Sequence, residues 1–241
     1  LFKQGNDFFE RVLSALDFLK CRLCAYGIGN DYIYVDEFLY KAPADIGDAA
    51  RLASDRHTGI GGDGLVLIEH SDIADVKMRS FNRDGSEGRM AGNSIRSVGK
   101  YVYDRGILPK TTLTVETASG VHTLTLYTRD GAVTLCGVTM GRADFAAASL
   151  PALTDKVELV NAPIEVGGKT YTVPCLSVGN PHCVVFDDRI DALDLEVLGP
   201  QFEYAPLFPE RINTEFVRVV NRNMLKMRVY ERGNGETPAC G

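Results

Sequence analysis

Hydrophobic positions recur along this chain with two periods, and the shorter period dominates. Alternation of apolar and polar residues marks a strand with one buried face, and it runs over residues 113–117, 121–127 and 132–139. The last two segments flank Arg129-Asp130-Gly131. Asp-Gly accepts the positive φ of a tight type I′ turn, so a hairpin is predicted there. Runs rich in β-branched and aromatic residues at 32–38 and 65–68 predict two more strands, and 225–230 another. The longer, helical period is found at about residues 45–54, 91–103 and 195–202. It is found also over residues 1–20, where Phe8, Phe9, Val12, Leu13, Leu16 and Leu19 share a face. Runs of strands broken by isolated helices predict an α+β fold rather than a doubly wound parallel sheet.

The periodicity lapses between Gly141 and Pro151, where Ala, Ser and Pro cluster. A domain boundary is predicted there, dividing the chain into an extension (1–21), a first domain (22–140) and a second (141–241). The two domains echo each other. Gly85-Ser86-Glu87 precedes Ala91-Gly92, and Asn234-Gly235-Glu236 precedes Cys240-Gly241, with the glutamate four positions before the Ala or Cys in both.

Charge and composition narrow the function classes. The net charge is −6, with no basic run, which excludes a nucleic-acid partner. No apolar stretch approaches the roughly 18 residues that span a bilayer. The first twenty residues are charged throughout and do not resemble a signal peptide, so a cytoplasmic protein is expected. In that setting the six cysteines at 21, 24, 136, 175, 183 and 240 are expected as free thiols. The chain begins without methionine and stops after Ala239-Cys240-Gly241, so both ends read as fragment boundaries.

Several motifs could carry chemistry. Gly59-Ile60-Gly61-Gly62-Asp63-Gly64 matches the G-x-G-x-x-G of dinucleotide sites, but those need a strand before the glycines and a helix after. Here the predicted order is reversed, and a tight loop is the better reading. Cys21-Arg22-Leu23-Cys24 has no second ligand pair for zinc, so no metal site is expected. Asn82-Arg83-Asp84-Gly85-Ser86-Glu87-Gly88 is a turn-rich loop running into a predicted helix start near Gly92 and Asn93, where backbone N–H groups can hold a carboxylate. Gly179-Asn180-Pro181-His182 places Asn180 and His182 at a strand end. Arg211-Ile212-Asn213-Thr214-Glu215-Phe216 begins another strand with a polar Asn213. Glu231-Arg232-Gly233-Asn234-Gly235-Glu236-Thr237-Pro238-Ala239-Cys240-Gly241 combines an acid, a base, turn residues and a thiol. A helix starting at Cys240 would lower the thiol pKa and make it reactive.

In order and spacing these segments resemble the diaminopimelate epimerase family. Gly27-Ile28-Gly29-Asn30-Asp31, Asp55-Arg56 with Gly59 to Gly64, the Asn82 loop, Gly179 to His182 and Glu231 to Gly241 are similar to its motifs, and the likeness spans residues 22–241. The resemblance implies two pseudo-symmetric domains, each a mostly antiparallel sheet wrapped around a central helix, with the second domain incomplete here. It implies inversion of one α-carbon of diaminopimelate, on the route to lysine and peptidoglycan, with no pyridoxal phosphate or other cofactor. Without an electron sink the Cα proton is very weakly acidic, so a base on one face and an acid on the other must share the work. In the family these are two cysteines.

Carried over residue by residue, the resemblance makes Cys240 the second-domain thiol, with Glu231 and His182 tuning the thiols. Asn30, Asn82, Asn180, Asn213, Glu231 and Arg232 would bind the substrate, and Gly92, Asn93 and Gly241 would offer groups at helix starts. The chain departs from the family at Ala91, where the first catalytic thiol is expected, and at Ser97 and Tyr26, where the family often has Cys and His. A methyl group carries no proton, so impaired inversion is expected. The alternatives are a paralogous amino-acid racemase or isomerase and a non-catalytic amino-acid-binding protein. A homodimer is a possible assembly.

Overall fold

The computed structural model describes the backbone of residues 23–27 and all of residues 30–238. The expected helix at 1–20, the Cys21/Cys24 pair, the Tyr26 side chain, Cys240 and Gly241 lie outside the described residues. The chain divides into two units between Thr139 and Met140.

The first unit opens with β1 (Leu23–Gly27) and β2 (Asn30–Asp36), then helix α1 (Ile46–Ser54), β3 (Gly64–Glu69), β4 (Val76–Asn82) and the short β5 (Glu87–Gly88). Helix α2 (Gly92–Asp104) follows, then β6 (Thr112–Thr117), β7 (Gly120–Arg129) and β8 (Ala132–Val138). The strands form one sheet in the order β1-β2-β3-β4-β6-β7-β8, with β5 on β4. Only β2–β3 and β4–β6 are parallel. The helix order bears on the glycine loop: α1 precedes Gly59 to Gly64 and β3 follows, the reverse of a dinucleotide fold.

Local chemistry explains each element. Asp45 caps α1 by accepting from Asp48 N at 2.9 Å, and α1 buries Ala49, Ala50 and Ala53. Asp36 Oδ1 accepts from Phe38 N at 2.8 Å, which ends β2 in a turn two residues short of the predicted limit. The β7–β8 hairpin turns at Asp130 and Gly131, with φ of 53° and 81°, the geometry expected of Asp-Gly. Helix α2 buries Ile95, Val98, Gly99 and Val102 at 3–4-residue spacing. It packs on β1 and β2 at one end of the sheet and on β7 and β8 at the other, so the sheet curls around it.

The second unit begins with the hairpin β9 (Ala162–Val166) and β10 (Lys169–Val173), joined by Gly167 and Gly168 at positive φ. Next come β11 (Cys175–Ser177), β12 (Pro181–Phe186), helix α3 (Leu195–Glu203), β13 (Asn213–Asn221), β14 (Met224–Glu231) and β15 (Gly235–Thr237). Strands β11 to β15 form one sheet in sequence order, parallel only at β12–β13. Its core gathers Phe202 of α3, Phe208, Phe216, Leu195 and Ile190 with the inward face of β9 and β10.

The two units repeat one plan. Antiparallel β1–β2, parallel β2–β3 around α1, then antiparallel β3–β4 and β4–β5 match β11–β12, β12–β13 around α3, β13–β14 and β14–β15 in every sense. The register repeats as well: Phe81 faces Glu87 on β4–β5, and Tyr230 faces Glu236 on β14–β15, an offset of 149 residues.

Candidate active site

In the first unit the expected residues gather where β2, β3 and β4 begin or end together. Gly64 pairs with Tyr32 on one side and Asn82 on the other, which sets the Asn30 and Asn82 ends beside one strand start. Asn30 donates to Asp63 Oδ2 at 3.1 Å and accepts from Asn93 Nδ2 at 2.7 Å. Arg96 in turn donates to Asn93 Oδ1. Asp63 also accepts from Asp31 N at 3.1 Å and from Arg56 Nη2 at 3.1 Å, and Arg56 forks onto both Asp31 oxygens at 2.9 and 2.7 Å. That guanidinium holds the Asp31 carboxyl below its ordinary range. Both ends of the Asn30 and Asn93 amides are therefore tied into a buried network that fixes the start of α2 against β2.

The Asn82 loop is braced from within. Asn82 Nδ2 donates to Ser86 Oγ at 3.0 Å, and Asn82 N donates to Ser86 O at 2.8 Å. Gly85, at φ 87°, fits against α1, where a Cβ would lie 2.6 Å from Gly47 O. The loop ends at Ala91, the N-cap of α2 in an extended conformation, one residue before the helix predicted to include it. Its methyl group makes no capping bond, whereas Ser, Thr, Asp or Asn would serve the first-turn N–H groups. Tyr34 donates to Ser94 O at 3.3 Å and pins that first turn to β2.

In the second unit His182 pairs with Asn213 across β12–β13. Asn213 joins two expected motifs: Nδ2 donates to Pro181 O at 2.8 Å, and Oδ1 accepts from Arg232 N at 2.9 Å. The Arg232 side chain donates to Glu210 O at 2.9 Å. Glu231 accepts from Asn234 Nδ2 at 3.5 Å, within its own turn. His182 meets Glu215 and Asn180, at 2.6 and 2.8 Å. Gly233 and Gly235 take φ of 79° and 87°, which side-chain-bearing residues rarely adopt.

Three buried carboxylates organise these clusters, and the sequence reading singles out none of them in that role: Asp63, Glu203 and Glu215. Glu203, at the end of α3, accepts from Gly233 N at 2.9 Å and pairs with Arg211 at 3.2 Å. For Glu203 and Glu215 the available signal was charge at inward helix and strand positions, which are apolar unless paired; Asp63 lies in the loop before β3.

A family profile described as diaminopimelate epimerase matches residues 23–146 and 175–241. The chain belongs to the diaminopimelate epimerase family. Relatives of that name include the one from Acetivibrio thermocellus, 50% identical over 218 residues, covering 90% of this chain and 77% of the relative. The relative from Desulfovibrio desulfuricans is 48% identical, covering 94% and 79%, and that from Methanococcus maripaludis 46%, covering 90% and 78%. Among solved structures, this epimerase-family fold is shared with a probable proline racemase from Agrobacterium radiobacter K84, with TM-score 0.62 at 14% identity over 90% of this chain and 72% of the other. It is shared also with a hydroxyproline epimerase from Agrobacterium vitis, with TM-score 0.60 at 14% identity and the same coverage.

Proposed function

We propose that this epimerase-family chain binds diaminopimelate and transfers the proton at one α-carbon, converting the LL to the meso stereoisomer without pyridoxal phosphate. The observation that carries this reading is the repeated frame. The offset of 149 residues that relates Glu87 to Glu236 also relates Ala91 to Cys240. Ala91 is the N-cap of a 13-residue helix. In the sequence Cys240 therefore corresponds to Ala91, and a helix starting there would favour thiolate over thiol.

The substrate has two carboxylates and two ammonium groups, and each needs a polar partner. Asn82, Asn180, Glu231 and Arg232 supply direct contacts in this reading. Gly92, Asn93 and Gly241 supply N–H groups to a carboxylate, which also opposes the charge developing on the carbanion. Asn30 and Asn213 act through their braces. Cys240 is the one thiol of the pair, and Glu231 and His182 tune it. Position 91 carries a methyl group, so proton exchange on one face survives and inversion is impaired. Cytoplasmic location and a homodimer complete the proposal; sedimentation velocity tests the dimer.

The test combines two readouts in deuterium oxide, followed by mass spectrometry and chiral chromatography. The chain exchanges the Cα hydrogen of one diaminopimelate stereoisomer without inverting it, and Ala91→Cys yields inversion. Absence of exchange in the chain, with no inversion in Ala91→Cys, overturns the reading. Binding of diaminopimelate with neither activity favours the second reading, an amino-acid-binding paralogue, to which the methyl group at position 91 points.

A further inference from the structure

Cys175 and Cys183 stand opposite each other on β11 and β12, and neither is exposed to solvent. Val184 N donates to Pro174 O at 3.0 Å, while Cys175 N turns the other way and donates to Leu159 O at 2.8 Å. The cysteines are therefore a non-hydrogen-bonded pair of an antiparallel ladder, the kind whose side chains approach most closely, with Cα atoms roughly 4.5 Å apart. A disulfide spans Cα separations of roughly 4.4–6.8 Å, so the backbone already lies within bonding range. Its Cβ atoms must come within roughly 3.5–4.5 Å, closer than most cross-strand neighbours. The bond is accessible but strained, and strained disulfides are the readily reversed ones. The two thiols already meet: a hydrogen bond with Cys175, together with burial, raises Cys183.

The setting gives the pair both a route to solvent and a segment to act on. Strand β11 is three residues long and lies at the edge of its sheet. Beyond it, the described residues supply the isolated Asp144–Ser177 bridge and the bond to Leu159. A short edge strand with few ladder bonds opens locally at low cost, and opening β11 uncovers both thiols. Between the cysteines runs the Gly179-Asn180-Pro181-His182 turn. The fold itself does not need the second sulfur. In the first unit Ile33 faces Leu65 where Cys183 faces Thr214, and Ile33, a buried hydrocarbon side chain, stands opposite Cys24.

We propose that Cys175 and Cys183 are a reversible redox pair: a small disulfide of the glutathione type oxidises them to a cross-strand disulfide that staples β11 to β12 and stiffens the turn between them. In the opened strand the Cys175 thiolate attacks the S–S bond of the reagent, and one reagent thiolate leaves. The Cys183 thiolate then attacks Cys175 Sγ in the mixed disulfide, and the second reagent thiolate leaves. Two electrons pass to the reagent, and the two protons of the cysteines end on the released thiols. None of this depends on what the turn binds.

The experiment equilibrates the whole chain in glutathione buffers from reduced to oxidised, quenches with acid, alkylates the remaining thiols after unfolding and maps peptides by mass. In the oxidised buffer the peptide holding both cysteines is lighter by the two lost hydrogens and takes no alkylating group. Dithiothreitol restores both thiols. Amide hydrogen exchange over residues 176–182 slows about tenfold on oxidation, because the staple suppresses local opening of the edge strand. In Cys175→Ala, exchange over the same residues is independent of the buffer. Full alkylation of Cys175 and Cys183 at every glutathione ratio overturns the proposal. So does finding them only as mixed disulfides with glutathione, or joined to Cys136 or Cys240. A Cys175–Cys183 bond that leaves the exchange unchanged, or an equal slowing in Cys175→Ala, overturns the staple.

Discussion

Carboxyl groups in this chain are pulled in opposite directions by what faces them. Asp31, forked by Arg56, has its pKa lowered, so its contribution to stability is present above the unfolded value of 3.8 and is lost as pH falls. Glu69 is raised above 4.5, first by burial and then by the like charge of Glu37, with Arg79 and Lys77 pulling against both. A raised carboxyl pKa means that the folded state favours the proton. The penalty is absent below about pH 4.5, grows as pH rises through the folded value, and is complete above it. Glu69→Gln should therefore raise the melting temperature at pH 7 by about 1–3 °C and leave it unchanged near pH 4. Equal shifts at both pH values, read by calorimetry, would remove the electrostatic cause. Thiols divide in the same way. Burial pushes Cys136 up to about 11, and Cys183 is raised by its neighbour Cys175 and by burial. An alkylating reagent at pH 7.5, mapped by peptide mass, should thus modify Cys240 well before either. Comparable labelling of Cys136 and Cys240 argues against a helix-activated thiolate at 240.

At the scale of the element, two helix glycines make close contacts of unequal hardness. A Cβ at Gly99 of α2 would lie 2.6 Å from Leu124 Cδ2, the end of a flexible side chain. A Cβ at Gly199 of α3 would lie 2.2 Å from two atoms of the Tyr230 ring. Alanine gains up to about 1 kcal/mol of helix propensity at either site, so the steric term decides. Gly199→Ala should destabilise by about 1–3 kcal/mol, whereas Gly99→Ala stays within about 1 kcal/mol of neutral. Urea titrations giving the two variants equal midpoints would contradict the packing. Elements were legible where one period ruled. Helix α2 and the β7–β8 hairpin sit within one or two residues of their sequence limits. Strand β4 and the β9–β10 hairpin were equally periodic in Val76–Asn82 and about the Gly167-Gly168 turn, but no motif drew attention to them. Among the candidate site residues, Asn30, Asn82, Asn180 and His182 stand out in the sequence because turn formers surround them. Glu215 does not, because it lies inside an ordinary β-rich run and its partner is 33 residues away. Pairing across a parallel crossover leaves no local trace.

Over the whole chain, the repeat predicts that like positions carry like forces, and it locates where they do not. Arg79 forks onto Glu87 at 2.7 and 2.9 Å, and Arg228 forks onto Glu236 at 2.8 and 2.9 Å, again 149 residues apart. Each pair ties the strand entering the turn to the strand leaving it, four residues before position 91 or 240. Both pairs are partly exposed, so the ionic contribution of each is only about 0.2–1 kcal/mol. Glu87→Gln and Glu236→Gln should accordingly give small melting shifts of the same sign. The arginines differ. Arg228 Nη1 also donates to Ile190 O and Leu193 O at 2.7 and 2.8 Å, and losing it leaves two carbonyls without that donor. Removal of a donor from such groups costs about 1–3 kcal/mol, so Arg228→Ala should melt several degrees below Arg79→Ala. The chemistry should follow the thiol: Glu236→Gln slows alkylation of Cys240, and Glu87→Gln leaves it unchanged because position 91 has no sulfur. If Glu87→Gln slows Cys240 as much as Glu236→Gln does, the two clamps do not act locally, and the repeat describes the fold without dividing the chemistry between its halves.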